Sequence, residues 1–239
     1  MKIDIKQNIR KIDTMFLERE DRKYLSPAYL SQFEITLPLI QEYVRGDLLD
    51  LGCGDMPYQK YIQSKITKYD SIDFTPRTKQ VTFVGDIQDM GMVQNSSYDS
   101  AICLEVLEHL PNPDKGLKEI NRILKDKGVL IISVPHLSRL HDEPYDFYRY
   151  TRYGLISMLE GNGFQVVSLR ERGGLFCFLG HQFCLGLIGI TGGMFIIREF
   201  VFFINRLISI FLYNLDKWLN TTRLFPLGYS LVAQKYKAM

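Results

Sequence analysis

Two groups of residues in this chain have the types and spacing that chemistry requires. The first is Asp50-Leu51-Gly52-Cys53-Gly54-Asp55, where an apolar run ends in an acid and a glycine pair. Without Cβ atoms, the Gly52–Gly54 backbone can take unusual φ/ψ values and lie against a ligand. A buried parallel strand needs this when it turns sharply under a nucleoside-like molecule. The second group is Glu105, Glu108 and His109, at i, i+3 and i+4, with His136, His141 and Asp142 further on. On a helical turn that spacing puts the first three on one face. A positioned histidine or glutamate there can take a proton from a reacting hydroxyl. A G-x-G alone is also an ordinary tight turn, so its meaning depends on what the downstream chain supplies.

The elements that must position these groups follow at regular intervals. Strand-like runs cover residues 47–51, 69–74, 80–84, 98–104, 128–134, 164–170 and 229–236. Asp73 ends the second, Gly85-Asp86 follows the third, Glu105 the fourth and Pro135-His136 the fifth. Between them, residues 113–125 read as a helix, with Asn112 as N-cap, Pro113 at the first position and Gly128 beyond the basic end. Helices are also expected over 27–44 and 151–160. Ile5, Ile9, Ile12 and Phe16 recur at amphipathic spacing near the start. Strands alternating with helices predict a parallel sheet covered on both faces.

With these parts in order, the chain resembles class I S-adenosylmethionine-dependent methyltransferases, the broad small-molecule group called type 11. The resemblance covers about residues 45–170 and the terminal strand. It rests on LLDLGCGD, the acid in SIDF, the GDIQDM turn and CLEVLEHLPNPDKGLKEINRILKDKGVLIISVP. It implies an α/β, Rossmann-like sheet of seven strands in the order 3-2-1-4-5-7-6, the last antiparallel. It also implies S-adenosylmethionine as cofactor. Gly52 and Gly54 would pass under its methionine and ribose, and Asp50 would orient the loop or meet the methionine amine. Asp73, with Phe74 beside it, would take the ribose hydroxyls. Asp86 would bind the adenine amine, and Ile87 would pack on the ring. Leu104 and Glu105 would lie beside the methyl group. The expected catalytic groups are Glu105, His109, His136 and His141. E-x-x-E-H segments also resemble quinone-pathway O-methyltransferases and small-RNA 2′-O-methyltransferases, in which such residues hold a divalent metal. Many relatives carry the segment without one, and no metal is assigned here. A nicotinamide-dependent dehydrogenase would need a third glycine in G-x-G-x-x-G. Here the chain has Pro57, and Asp55 would repel a pyrophosphate.

Composition supplies the remaining expectations. Of 239 residues, 46% are apolar and 23% charged, ordinary for a globular chain with a substantial core. A net charge of +2 argues neither for nor against a nucleic-acid partner, and the lack of a basic stripe counts against one. Four cysteines without a C-x-x-C pair, and a charged start, point to a cytoplasmic protein with reduced thiols and no secretory signal. Three regions are expected: a helical region over 1–46, the cofactor-binding domain over 47–172 with 227–239, and an apolar helical insert over 173–226. The insert holds nine of fifteen phenylalanines, the single tryptophan and only six charged residues. It is expected to cap an apolar acceptor, to contact the inner membrane face peripherally, or to pair with a second subunit in a homodimer. The acceptor is a small molecule, a glycan or a lipid-linked compound, methylated at oxygen. The alternatives are a non-catalytic binding or membrane scaffold and a metal-assisted RNA 2′-O-methyltransferase.

Overall fold

A computed structural model describes residues 4–15, 19–191 and 195–236. The element order is α1 (Ile5–Met15), α2 (Pro27–Tyr43), β1 (Gly46–Leu51), β2 (Ile66–Asp73), β3 (Phe83–Val84), β4 (Tyr98–Leu104) and α3 (Pro113–Ile123). It continues with β5 (Leu124–Pro135), α4 (Arg152–Gly161), β6 (Phe164–Arg172), α5 (Leu175–Thr191), α6 (Phe195–Leu219) and β7 (Gly228–Lys235). The chain divides into two compact units, one of Met1–Ile35 with Glu171–Leu227, the other of Thr36–Arg170 with Gly228–Met239. The N-terminal helical region and the insert, read separately in the sequence, therefore share a unit. Phe16, the last residue of the N-terminal periodicity, lies outside the described residues.

The larger unit carries the sheet, in the order β3-β2-β1-β4-β5-β7-β6. β1 pairs parallel with β2 and β4, β4 with β5, and β5 antiparallel with β7. The central strands are apolar on both faces because helices cover both. Leu48, Leu49, Leu51, Ile102, Leu130, Ile131, Leu231 and Val232 are buried. α3 starts as expected: the Asn112 side chain accepts from the Lys115 N–H, and Pro113 occupies the first turn. β5 begins four residues earlier than the sequence suggests. Buried Leu124 already pairs with Tyr98, across a register irregularity that Lys127, at φ 61°, relieves. β3 is correspondingly shorter than expected. Ahead of it, the Ser71 and Thr82 hydroxyls each accept the other residue's backbone N–H at 3.2 Å, so side chains take over the ladder at this edge.

The smaller unit is helical. Ile12, Leu25, Ile188, Val201 and Phe202 form its core, with Ile9, Tyr24 and Tyr29 packed against it. α1 meets α5 closely: Asn8 Nδ2 donates to the Gly189 carbonyl at 2.7 Å, and a Cβ at Gly189 would stand 2.5 Å from the Ile5 side chain. The unit's interior also holds polar bonds. Buried Asn205 donates to the Leu25 carbonyl at 3.0 Å, and Ser26 Oγ bonds His181 Nδ1 at 2.8 Å. Asp216, near the end of α6, accepts the backbone N–H groups of Phe176 and Cys177 at 2.9 and 2.7 Å, and the Thr221 hydroxyl. A buried carboxylate thus caps the positive end of α5 from the next helix. Among the described residues, no helix is long and apolar enough to cross a membrane. All four cysteines are free and buried.

Replacing Asp216 with alanine leaves the two α5 donors without their acceptor, at a cost of about 1–2 kcal/mol. The melting temperature should fall by roughly 2–8 °C. Differential scanning calorimetry checks this, and Asp216→Asn should retain part of the loss.

Candidate functional site

The site grows from the carboxyl ends of β1, β2 and β4. β1 ends at Leu51, and the chain turns through Gly52 at φ 66° and Gly54 at φ 54°, both in the region that favours glycine. A Cβ at Gly52 would stand 2.5 Å from Val106 Cγ2, whereas one at Gly54 would meet nothing within 4 Å. Gly52 is thus held by packing, while Gly54 faces open space. The Gly52 and Cys53 N–H groups donate to the Ile72 carbonyl at 2.8 and 3.2 Å, tying the turn to β2. Asp73, the last residue of β2, accepts the Gly54 N–H at 2.9 Å through Oδ2 and the Thr75 N–H at 2.8 Å through Oδ1. A carboxylate has about four lone-pair sites, so two remain for a ligand. The expected juxtaposition of the Gly52–Gly54 bend and Asp73 is present.

Asp50 lies beneath this turn, buried, and accepts the Tyr69 hydroxyl at 2.5 Å. Burial pushes its carboxyl up to about 7 against the Tyr69 donation, and repulsion from Asp73 and Asp55 adds to the rise. The same burial, with repulsion from Asp50 and Asp73, pushes the Cys53 thiol up to about 12. The floor of the turn is therefore a low-dielectric, acid-rich place that disfavours further negative charge. Tyr69 was not among the residues singled out from sequence; its position on β2, opposite β1, was the available signal.

The turn after the third strand gives Asp86 partners within the chain. Asp86 accepts the Gln88 N–H at 2.8 Å, and its carboxylate also meets the Gln88 side-chain amide at 3.0 and 3.2 Å. The Ile87 side chain belongs to the hydrophobic core and is nearly fully buried. Phe74, by contrast, is exposed beside Asp73.

At the end of β4 the helical spacing expected for Glu105, Glu108 and His109 does not form. Glu105 sits at φ 54°, and only Leu107–His109 make a single 3₁₀ turn. Glu105 is drawn to β5 instead: its N–H donates to the Ser133 carbonyl at 2.8 Å, and its carboxylate accepts the Ser133 hydroxyl. Leu104 is half-buried at the strand end. Glu108 and His109 keep company with His141. Potential ligand atoms of these three lie within 4.8 Å of one another. Nε2 of His109 and Nε2 of His141 are 3.7 and 4.0 Å from Glu108 Oε1, and Glu108 is fully buried.

The loop after β5 brings His141 there. The Phe147 and Tyr148 N–H groups donate to the Glu108 carbonyl at 2.9 and 3.3 Å, and the Tyr150 hydroxyl reaches the Leu107 carbonyl at 2.9 Å. The Tyr145 carbonyl accepts from His109 Nδ1 at 2.6 Å, which fixes the proton on Nδ1 and leaves Nε2 the basic nitrogen. His141 Nδ1 faces two oxygens, Asp146 Oδ2 at 3.4 Å and the Arg139 carbonyl at 3.3 Å, with Arg149 Nη2 at 3.4 Å. Asp146 also accepts the His141 N–H at 2.8 Å and a two-pronged Arg149 contact at 2.5 and 2.8 Å. Arg149 and the neighbouring donors hold its carboxyl down to about 2 despite burial. Asp146 and Arg149 were missed in the sequence; their i, i+3 acid–base spacing was the only trace of the clasp. His136 packs on the Tyr229 ring at 5.7 Å, outside the Glu108–His109–His141 group.

Comparison with known proteins follows the same part of the chain. A family model described as a methyltransferase domain matches residues 6–169. A ubiquinone biosynthesis O-methyltransferase of Xanthomonas oryzae is 28% identical over 122 residues, covering 46% of this chain and 49% of that protein. An uncharacterized protein of Methanocaldococcus jannaschii, MJ0638, is 32% identical over 126 residues, covering 50% and 55%. The chain thus spans about half the length of the curated relatives it matches. Among solved structures, a SAM-dependent methyltransferase from Archaeoglobus fulgidus superposes with a TM-score of 0.56, at 16% identity over 88% of this chain and 95% of that one. The [4+2]-cyclase SpnF superposes with 0.57, at 17% identity over 84% and 80%. At such identities these likenesses establish the fold alone.

A carboxyl raised by folding binds its proton more tightly in the folded state. Its contribution to stability is full below the unfolded pKa and is lost as pH rises through the folded one. The ligand-free protein should therefore lose stability through the window below about 7, the value reached at Asp50. Asp50→Asn should flatten that slope. Urea titrations on either side of the window test it, and equal slopes in both proteins would mean that Asp50 ionises normally.

Proposed function

This chain belongs to the methyltransferase-domain family, whose fold implies S-adenosylmethionine as methyl donor, and from that premise we propose that it methylates an oxygen of a small-molecule, glycan or lipid-linked acceptor. The observation that carries the reading is the 2.9 Å bond from the Gly54 N–H to Asp73. It sets a glycine turn with open space above it beside a carboxylate that still has acceptor capacity. The ribose hydroxyls take that capacity. Asp50, Asp55 and Asp73 together favour a ligand bearing the positive charges of a sulfonium and an ammonium. A bound cation lowers the Asp50 pKa, so Asp50 ionises as the methionine amine arrives. Phe74 offers an exposed apolar face for the nucleoside. Asp86, already engaged by Gln88, and the backbone at Ile87 serve its base.

Methyl transfer is an in-line displacement from a carbon that is already electrophilic, so positioning and water exclusion supply much of the acceleration. A hydroxyl acceptor also has to lose its proton. His109 is the better base, because its Nδ1 is committed to a carbonyl and its Nε2 is turned toward the Glu108–His141 group. A base so placed contributes ~10²–10⁴-fold. Buried Glu108 stabilises the imidazolium that results, and His141, clasped by Asp146, is the next proton acceptor. Glu105, held by Ser133, supports the strand end rather than reaching this group. Likeness to an O-methyltransferase over the matched region favours oxygen as the acceptor atom.

A second reading is favoured by one feature of the same group. Two imidazoles present Nε2 toward a buried carboxylate while their Nδ1 atoms face oxygen acceptors. That is the orientation metal-binding histidines take with their outer partners. Glu108, His109 and His141 fit a divalent cation, which would lower the pKa of the acceptor hydroxyl.

Asp73→Ala should weaken S-adenosylmethionine binding by more than about tenfold, since two charge-assisted contacts are lost. Titration calorimetry checks it, and unchanged affinity would reject the cofactor site. His109→Ala and His141→Ala should leave cofactor affinity intact. His109→Ala should slow labelled-methyl transfer into cell extracts by ~10²-fold or more. Cofactor binding without any transfer, across lipid, glycan, RNA and protein fractions, would favour a non-catalytic scaffold. Transfer into the RNA fraction would favour the nucleic-acid alternative. Manganese binding followed by electron paramagnetic resonance, abolished by His141→Ala, would distinguish the metal-assisted reading from the metal-free one.

A further inference from the structure

α6 carries two opposed faces. Val201, Phe202, Asn205, Ser209 and Asp216 are buried on one. Phe200, Phe203, Leu207, Ile210, Phe211 and Trp218 are exposed on the other, the phenylalanines by 54–65% and Trp218 by 79%. At about 100° per residue, these six fall within a stripe roughly 100° wide that lies opposite the buried face. Scattered exposed apolar residues need no explanation, but six large ones in line on one helix form a surface that water disfavours.

The charges around the stripe say what covers it. Arg206 and Lys217 lie together on one flank, exposed; their charged ends rest over the Tyr24 and Tyr213 rings at 4.7 and 5.0 Å, on stems long enough to swing to the edge of the apolar line. The flank's acid, Glu199, is already matched by Arg19 at 3.1 Å and Arg198 at 3.2 Å. Trp218 stands next to Lys217, an amphipathic ring beside a cation, the pairing that suits the headgroup level of a bilayer. Two-fold antiparallel pairing with a second copy would set the Arg206 flank against its own duplicate, and like charges so aligned are unfavourable. No described helix is able to cross a bilayer, so insertion through it is not the use of this face. We propose that the exposed face of α6 lies in the plane of an anionic lipid surface, with Phe203, Leu207 and Phe211 among the acyl chains and Arg206 and Lys217 at the phosphates. This inference does not rest on the methyl-transfer reading.

The test is sedimentation of the intact 239-residue chain with phosphatidylcholine vesicles, with and without phosphatidylglycerol. Binding to the anionic vesicles is expected, weakened by salt. The double substitution Phe203→Ser/Phe211→Ser alters only exposed positions and should keep the native circular dichroism and cofactor affinity while lowering the partition coefficient at least about tenfold. Arg206→Gln/Lys217→Gln should remove the preference for anionic over neutral vesicles. Absence of binding to either vesicle, or equal binding by the wild type and the serine double variant, would overturn the proposal. So would light scattering that reports a dimer which the serine variant dissociates, because the face would then belong to a second copy.

Discussion

Everything at the carboxyl ends of β1 and β2 depends on how the glycine turn is bonded to the neighbouring strand. Asp73 closes β2 and holds the Gly54 N–H. The Ile72 carbonyl just before it holds the Gly52 and Cys53 N–H groups. Three successive donors of the glycine turn are thus spent on the last two residues of the neighbouring strand. The turn is folded down onto β2 before any ligand arrives, and its left-handed glycines are the condition for that. Preorganisation of this kind means that a ligand at this turn would not have to order it. It also concentrates negative charge, because Asp50 below and Asp55 alongside share the same small region as Asp73.

The second half of the site is built by a loop clasped to a short turn. Residues 136–150 have no regular structure, yet their backbone is fastened to the Glu108 carbonyl and their aromatic hydroxyls to the Leu107 and Pro111 carbonyls. Asp146 and Arg149 fix the loop on itself and orient His141. The result is a polar group whose members come from sequence positions more than thirty residues apart but whose imidazoles meet edge to face at 4.9 Å. Rigid elements and a loop pinned at several points give a loop residue the precision otherwise expected of a helix or strand.

Much of this was legible in the amino-acid order, and the exceptions have physical reasons. The run of strands and the exact span of β4 follow from apolar segments ending in turn residues at α/β intervals, while the strand order, the antiparallel last strand and the meeting of Gly54 with Asp73 follow from the family resemblance those segments carry. Local spacing misled at Glu105. Its i, i+3, i+4 relation to Glu108 and His109 means one face only if the segment is helical. The left-handed residue and the bond to Ser133 on β5 override that. The shortness of β3 was hidden because the Ser71–Thr82 exchange imitates a ladder with side chains. Periodicity also cannot report partners, so the union of α1 with α5 and α6 in one unit had no sequence signature. The Asp216 cap of α5 was equally hidden, since its donors lie about forty residues away.

The position of β7 has a bearing on synthesis. It lies between β5 and β6 in the sheet yet is reached only after α5 and α6. As the chain leaves the ribosome, β5 therefore keeps one bare hydrogen-bonding edge, and β6 stays without its neighbour, until the last strand emerges. That interval is the period of greatest exposure to wrong partners. A growing chain that stalls there would present a strand-shaped vacancy, the form that holding chaperones and runaway β-addition both recognise.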